Sequence, residues 1–135
     1  MSNAVKNAEI ANSIYPGTVS GILIYKSTFE NDSQTQAIAN SLAAYRNRTS
    51  SIGVSLGIRE IRDYHCFESE HTLQLVQLSD ILICPYFPKD MFSWDGTSTE
   101  HFIETITVYW LAWRTKMKAI NPNVIVYGET GWPAA

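Results

Sequence analysis

The sequence predicts an α/β fold in which about four parallel strands alternate with crossover helices, as part of a (β/α)8 barrel. Three observations predict it. Helical and strand patterns alternate four times, in units of about 30 residues, the length of a βα repeat. The strand segments are almost continuously apolar, as expected where a parallel sheet is covered on both faces. Polar and aromatic residues gather where the strands end (Lys26, Ser27, Arg59, Glu60, Tyr86, Phe87, Glu129, Trp132), which is where barrels collect functional side chains. A doubly wound sheet has the same unit length. No Gly-rich phosphate or dinucleotide loop follows any strand, and the barrel is therefore preferred.

The first element is a helix over Val5 to Ile14, with Val5, Ala8, Ile10 and Ile14 apolar, closed by Tyr15-Pro16-Gly17. A chain that opens within a helix reads as truncated. Residues 19–25 form the first strand. A helix capped at Asp32-Ser33 then runs to about Arg48, its inner face built from Ile38, Leu42 and Tyr45. Residues 52–58 are the second strand, followed by a polar loop in which Arg59-Glu60 and Arg62-Asp63 are expected to pair at the surface. A short helix from about Glu70 to Leu78 leads to the third strand, 80–84, which stops at Pro85-Tyr86-Phe87-Pro88. The last helix starts at Ser98-Thr99-Glu100 and carries Phe102, Ile106, Tyr109, Trp113 and Met117 as one stripe; Trp110 and Trp113 read as core. Asn121-Pro122-Asn123 ends it, and 124–128 is the fourth strand. All 135 residues are assigned to a single partial-barrel domain.

Composition excludes several functions. The net charge is -3 and the ten Lys and Arg residues are scattered, so there is no basic face for nucleic acid. No apolar run approaches the roughly 18 residues of a membrane span, and the first residues lack the layout of a signal peptide. Cys66 and Cys84 are too few for a disulfide scaffold and read as two free buried thiols, one bridge being the alternative. His65 and His71 flank Cys66 and Glu68, but the paired ligand spacing of a zinc site is absent. No metal or organic cofactor is expected.

The most informative stretch is Gly128-Glu129-Thr130-Gly131-Trp132-Pro133, at the end of the apolar run Asn123 to Tyr127. It closely resembles the signature of glycoside hydrolase family 17, the endo-β-1,3-glucanases and β-glucan transglucosylases. Tyr15 to Ile22 is similar to the approach to that family's fourth strand, and Asp80 to Pro88 to its sixth. The resemblance implies that the chain spans helix three through strand seven of the barrel. It also implies a β-glucan substrate, a secreted or cell-wall location, Glu129 as the nucleophile of a retaining mechanism, and Trp132 as a wall of the sugar site. Phe87, Tyr86 and Trp94 join Trp132 as expected substrate-binding aromatics.

One departure stands out. The family has an Asn-Glu pair at the end of strand four, its glutamate being the acid/base, and here Lys26-Ser27 occupies that place. Retaining chemistry needs two carboxyls about 5 Å apart, one to attack and one to protonate the leaving oxygen. A serine hydroxyl does not supply that proton near neutral pH. Glu30 and Glu60 are the nearest substitutes in sequence, each a weak one. Three readings follow: a fragment or degenerate relative of a glucan hydrolase; a non-catalytic carbohydrate-binding or assembly module, self-associating through open sheet edges; and a truncated gene model of a complete glucanase.

Overall fold

The computed structural model describes residues 1–26, 32–60, 72–85 and 99–129, with the side chains of Lys26, Asp32, Glu60 and Phe102 outside that description. The elements are α1 (Ser2–Ile14), β1 (Gly21–Lys26), α2 (Asp32–Ser50), β2 (Ser55–Glu60), α3 (Leu73–Leu78), β3 (Ile81–Pro85), α4 (Thr99–Ile120) and β4 (Ile125–Glu129). The four strands form one parallel sheet in the order β1-β2-β3-β4. Each crossover advances by one strand in the same direction, so right-handed connections place the intervening helices on one side. This is the winding of a barrel segment; a doubly wound sheet would reverse direction.

The alternation of burial agrees. Leu56 and Ile58 of β2, Leu82 and Cys84 of β3, and Val126 of β4 are buried with Ala39 and Leu42 of α2, Leu75 and Val76 of α3, and Trp113 and Met117 of α4. Strand neighbours point to opposite faces, and no helix among the described residues covers the other face. There Leu23 is 41% exposed, Tyr25 64%, Ile125 47% and Tyr127 53%. The expectation of strands covered on both faces is thus corrected. Apolar runs report what a strand is made of, whereas the cover over the second face has to come from outside these four strands.

The strands also start and stop later than the sequence suggests. Val19 is held by Asn12, whose side-chain oxygen accepts from the Val19 N–H and whose amide donates to the Val19 carbonyl, both at 2.8 Å. That clasp turns the chain from α1 towards β1. Ile52 and Gly53 complete the turn after α2, with backbone bonds to Thr49 and Ser50 and a positive φ of 68° at Gly53, a conformation glycine adopts without strain. At the other end the β1–β2 ladder runs on to Lys26 opposite Glu60.

The amino-terminal rim is fastened by Asp80. Its N–H donates to the Leu56 carbonyl at 2.8 Å, its carboxylate accepts from the Leu56 N–H at 2.9 Å, and its carbonyl accepts from the Ile125 N–H at 2.8 Å. One residue therefore aligns the starts of β2, β3 and β4. Asn121 adds a second tie, donating to the carbonyls of Val76 and Ser79 at 3.0 Å. Glu9 and Arg48 join α1 to α2 through a two-point ion pair.

On α2 the predicted inner face holds, with Leu42 buried and Ile38 and Tyr45 packed against the core. On α4 one position changes: Trp110 packs against the core, while Tyr109 is half exposed. Ile106, Trp110, Trp113, Met117 and Ile120 advance by three or four residues and keep to one stripe. Cys84 corrects the free-thiol reading, since it is disulfide-bonded; the sequence contains one other cysteine, Cys66, which lies outside the described residues. No helix among the described residues is long and apolar enough to cross a membrane.

Candidate functional site

The site is built at the carboxyl ends of the strands, on the open face of the sheet. In register, Tyr25 of β1 stands beside Arg59 of β2, Arg59 beside Ile83 of β3, and Ile83 beside Tyr127 of β4. Residues in register on parallel strands share a face, and Glu129, two positions beyond Tyr127, shares it too. Arg59 and Glu129 are separated by the whole of β3, a span of about 10 Å between backbones. The two long side chains bridge it.

Arg59 Nε donates to Glu129 Oε2 at 2.6 Å and Arg59 Nη2 to Oε1 at 2.7 Å, a bidentate pair. The arginine side chain is 24% exposed and the glutamate 39%. The guanidinium carbon also lies 5.2 Å from the centroid of the Tyr25 ring, a cation–π contact that holds the fork from its other side. Hydrogen bonds from Arg59, which outweigh the opposing effect of burial and are aided by its charge, hold the Glu129 carboxyl below the usual carboxylate range. The same bonds raise Arg59.

An acid held in this way is ionised near neutrality. It is suited to act as an anion, whether as nucleophile or as a counter-charge, and unsuited to donate a proton. Each of its oxygens accepts one hydrogen bond from Arg59 and keeps a further lone pair.

Of the residues expected at the site, Glu129 occupies the predicted strand end. Lys26 ends β1 in register with Glu60, which ends β2. Ser27, Glu30, Tyr86, Phe87, Trp94 and Trp132 lie outside the described residues, as do His65, His71 and Arg62-Asp63. Among the described residues no cluster of His, Cys, Asp and Glu could hold a metal ion. The expected Arg59–Glu60 pair falls on Glu60, whose side chain lies outside the described residues, while the Arg59 fork engages Glu129. Consecutive residues of a strand point to opposite faces, and that rule, applied to β2, would have turned Arg59 away from its neighbour and towards the face of Glu129. A hollow of about 220 Å³ lined by Glu9, Asn12, Ser13, Pro16, Gly17 and Ile52 sits at the opposite, amino-terminal rim.

Neither a family model nor a curated protein sequence matches the chain. Its fold is similar to the crystal structure of a glycoside hydrolase family 17 beta-1,3-glucanosyltransferase from Rhizomucor miehei, with a TM-score of 0.66 and 22% sequence identity. The match covers 99% of this chain and 45% of that one. This chain therefore spans less than half the length of the protein it matches, and the likeness is one of α/β partial-barrel architecture.

Proposed function

We propose that the chain is a partial-barrel relative of the family 17 glycosidases, directed to β-1,3-glucan, with Glu129 in the position of the nucleophile of a retaining double displacement. The observation that carries this reading is the placement of an ionised Glu129 at the carboxyl end of β4, facing the open side of the sheet. The Gly128 to Pro133 motif and the architectural likeness add weight to it. Residues 1–135 then correspond to helix three through strand seven of the barrel.

In such a reaction a Glu129 oxygen attacks the anomeric carbon as the glycosidic C–O bond breaks, with Arg59 holding the carboxylate in place. The leaving oxygen takes a proton from a second carboxyl, and water later hydrolyses the glycosyl ester. Glu30 and Glu60 are the candidates for the second carboxyl, with Ser27 standing in the family's acid/base place. Trp132, Phe87, Tyr86 and Trp94 would stack on sugar rings. The double displacement requires no metal or organic cofactor. A secreted or cell-wall location is consistent with the disulfide at Cys84, since such bonds persist in oxidising compartments.

A second reading, a glucan-binding module without turnover, is favoured by the engagement of both Glu129 oxygens by Arg59. Laminarin incubated with the purified chain and with Glu129→Ala separates the two. Oligosaccharide release that Glu129→Ala abolishes, with a fluoro-sugar adduct mapped to Glu129, supports the nucleophile. Retention of laminarin by both proteins without product supports the module, and neither turnover nor retention removes both readings.

A further inference from the structure

Three strands are joined on one face by a single chain of side-chain contacts. Tyr25 of β1 is the register neighbour of Arg59 of β2, and the Arg59 guanidinium carbon lies 5.2 Å from the centroid of the Tyr25 ring. The same guanidinium gives its Nε and Nη2 hydrogens to the two oxygens of Glu129 on β4. Between them β3 brings Ile83 in register with Arg59, and buried Pro85 in register with Glu129. Neither can charge or hydrogen-bond the carboxylate, so among the described residues its direction is set by Arg59. Arginine, however, is a long and flexible side chain that here reaches across a whole strand. Two hydrogen bonds lock the carboxylate to the guanidinium; they do not lock the guanidinium to the sheet.

We propose that Tyr25 is a positioning residue for Glu129 and acts through Arg59: the tyrosine ring fixes the guanidinium plane, and the guanidinium fixes the direction of the carboxylate. The catalytic side of this role rests on Glu129 being the nucleophile of the proposed reaction, whereas the chain of contacts is independent of that reading. Tyrosine suits the task because its ring turns about only two torsions and is stiffer than the side chain it holds. Its face attracts the cation through the ring quadrupole and leaves the N–H groups that point at Glu129 free to donate. Hydrogen bonding to Glu129 is the chief reason that Arg59 is raised, and Tyr25 adds to it in the same direction. Attack on a carbon centre succeeds over a narrow range of distance and direction, so a carboxylate held in one orientation reacts faster than one that swings.

Nuclear magnetic resonance of the purified chain tests the contacts without turnover. In the unsubstituted protein the Tyr25 ring protons should show Overhauser contacts to the Arg59 side chain, a result that requires no variant to fold. Tyr25→Leu should raise the titration midpoint of the Glu129 carboxyl towards that of Arg59→Met, and should speed exchange of the Arg59 Nε–H by about 5-fold. Tyr25→Phe keeps the ring and should hold that exchange within about twofold of the unsubstituted chain. In laminarin turnover, Tyr25→Leu should lower kcat by about 10-fold, less than the roughly 100-fold that a displacement of 1 Å can cost. KM should stay within about twofold, and the acid limb of the kcat profile should move to higher pH. Absence of turnover in the unsubstituted chain overturns the catalytic role along with the nucleophile reading. Turnover accompanied by a Glu129 midpoint that Arg59→Met moves and Tyr25→Leu does not overturns the role of the tyrosine alone. Missing Overhauser contacts, or a phenylalanine variant as disruptive as the leucine one, would also overturn it.

Discussion

Arg59 and Glu129 sit on strands that do not touch, and they are joined across β3 by two hydrogen bonds of 2.6 and 2.7 Å. The pair links the second strand to the fourth, 70 residues later in the chain. Because both side chains keep partial access to water, its net worth is that of a well-formed but screened ion pair. A double-mutant cycle with Arg59→Met and Glu129→Gln should give a coupling of about 1 kcal/mol. Urea unfolding of the four proteins measures it.

The same pair predicts an acid dependence. The folded-state pKa of Glu129 is lowered by Arg59, so its contribution is complete above the unfolded carboxylate value, about 4.3. It is lost as pH falls through the lower folded value. Unfolding midpoints should therefore decline more steeply below that region in the unsubstituted protein than in Glu129→Gln. Glu9, lowered by its bonds to Arg48, acts in the same direction and is common to both proteins, which leaves the difference to Glu129.

Gly57 lies between Leu23 and Ile81 in one row of the open face. A Cβ there would stand 2.4 Å from the Ile81 carbonyl oxygen, 2.8 Å from Ile81 Cβ and 2.9 Å from Leu23 Cδ2. The closest of these is backbone and cannot rotate away. Gly57→Ala is expected to lower stability by about 3 kcal/mol or to prevent folding, as read from expression yield and thermal unfolding. Gly21→Ala, whose new Cβ meets nothing nearer than 3.6 Å, is the tolerant control.

Trp113 is the largest of the fully buried side chains among the described residues. Its truncation to alanine should cost about 3–5 kcal/mol. Ile103→Ala, on the exposed side of the same helix, should change stability by no more than about 0.5 kcal/mol. Chemical denaturation of both variants checks the orientation of α4.

The disulfide at Cys84 predicts no titratable thiol when the unreduced protein is denatured, and two after reduction. Reductant should lower the unfolding free energy by about 2–4 kcal/mol.

Much of the architecture was legible because it rests on local signals. Pro16-Gly17, the polar pair Asp32-Ser33 and Asn121-Pro122 punctuate the chain, and the periodicity of Ile38, Leu42 and Tyr45 orients α2. The place of Glu129 at the end of β4 was legible as well, since it follows an apolar run. Arg59 was visible only as a charged strand terminus; its partner is fixed by sheet register and by side-chain parity across three strands, which no local window contains. Cys84 was misread for a related reason, since spacing alone does not pair thiols. The bare inner face was hidden because Leu23, Ile83 and Ile125 look the same in sequence whether or not anything covers them.

Asp80 bears on the opposite rim from the one it occupies. A parallel sheet has no hairpin to index its strands, so the alignment of β2, β3 and β4 is set where Asp80 grips Leu56 and Ile125. A slip of β4 by a single residue would invert its faces, carrying Glu129 to the helix side and out of reach of Arg59. The carboxylate at the start of β3 thus acts as the datum from which the position of the carboxylate at the end of β4 is measured.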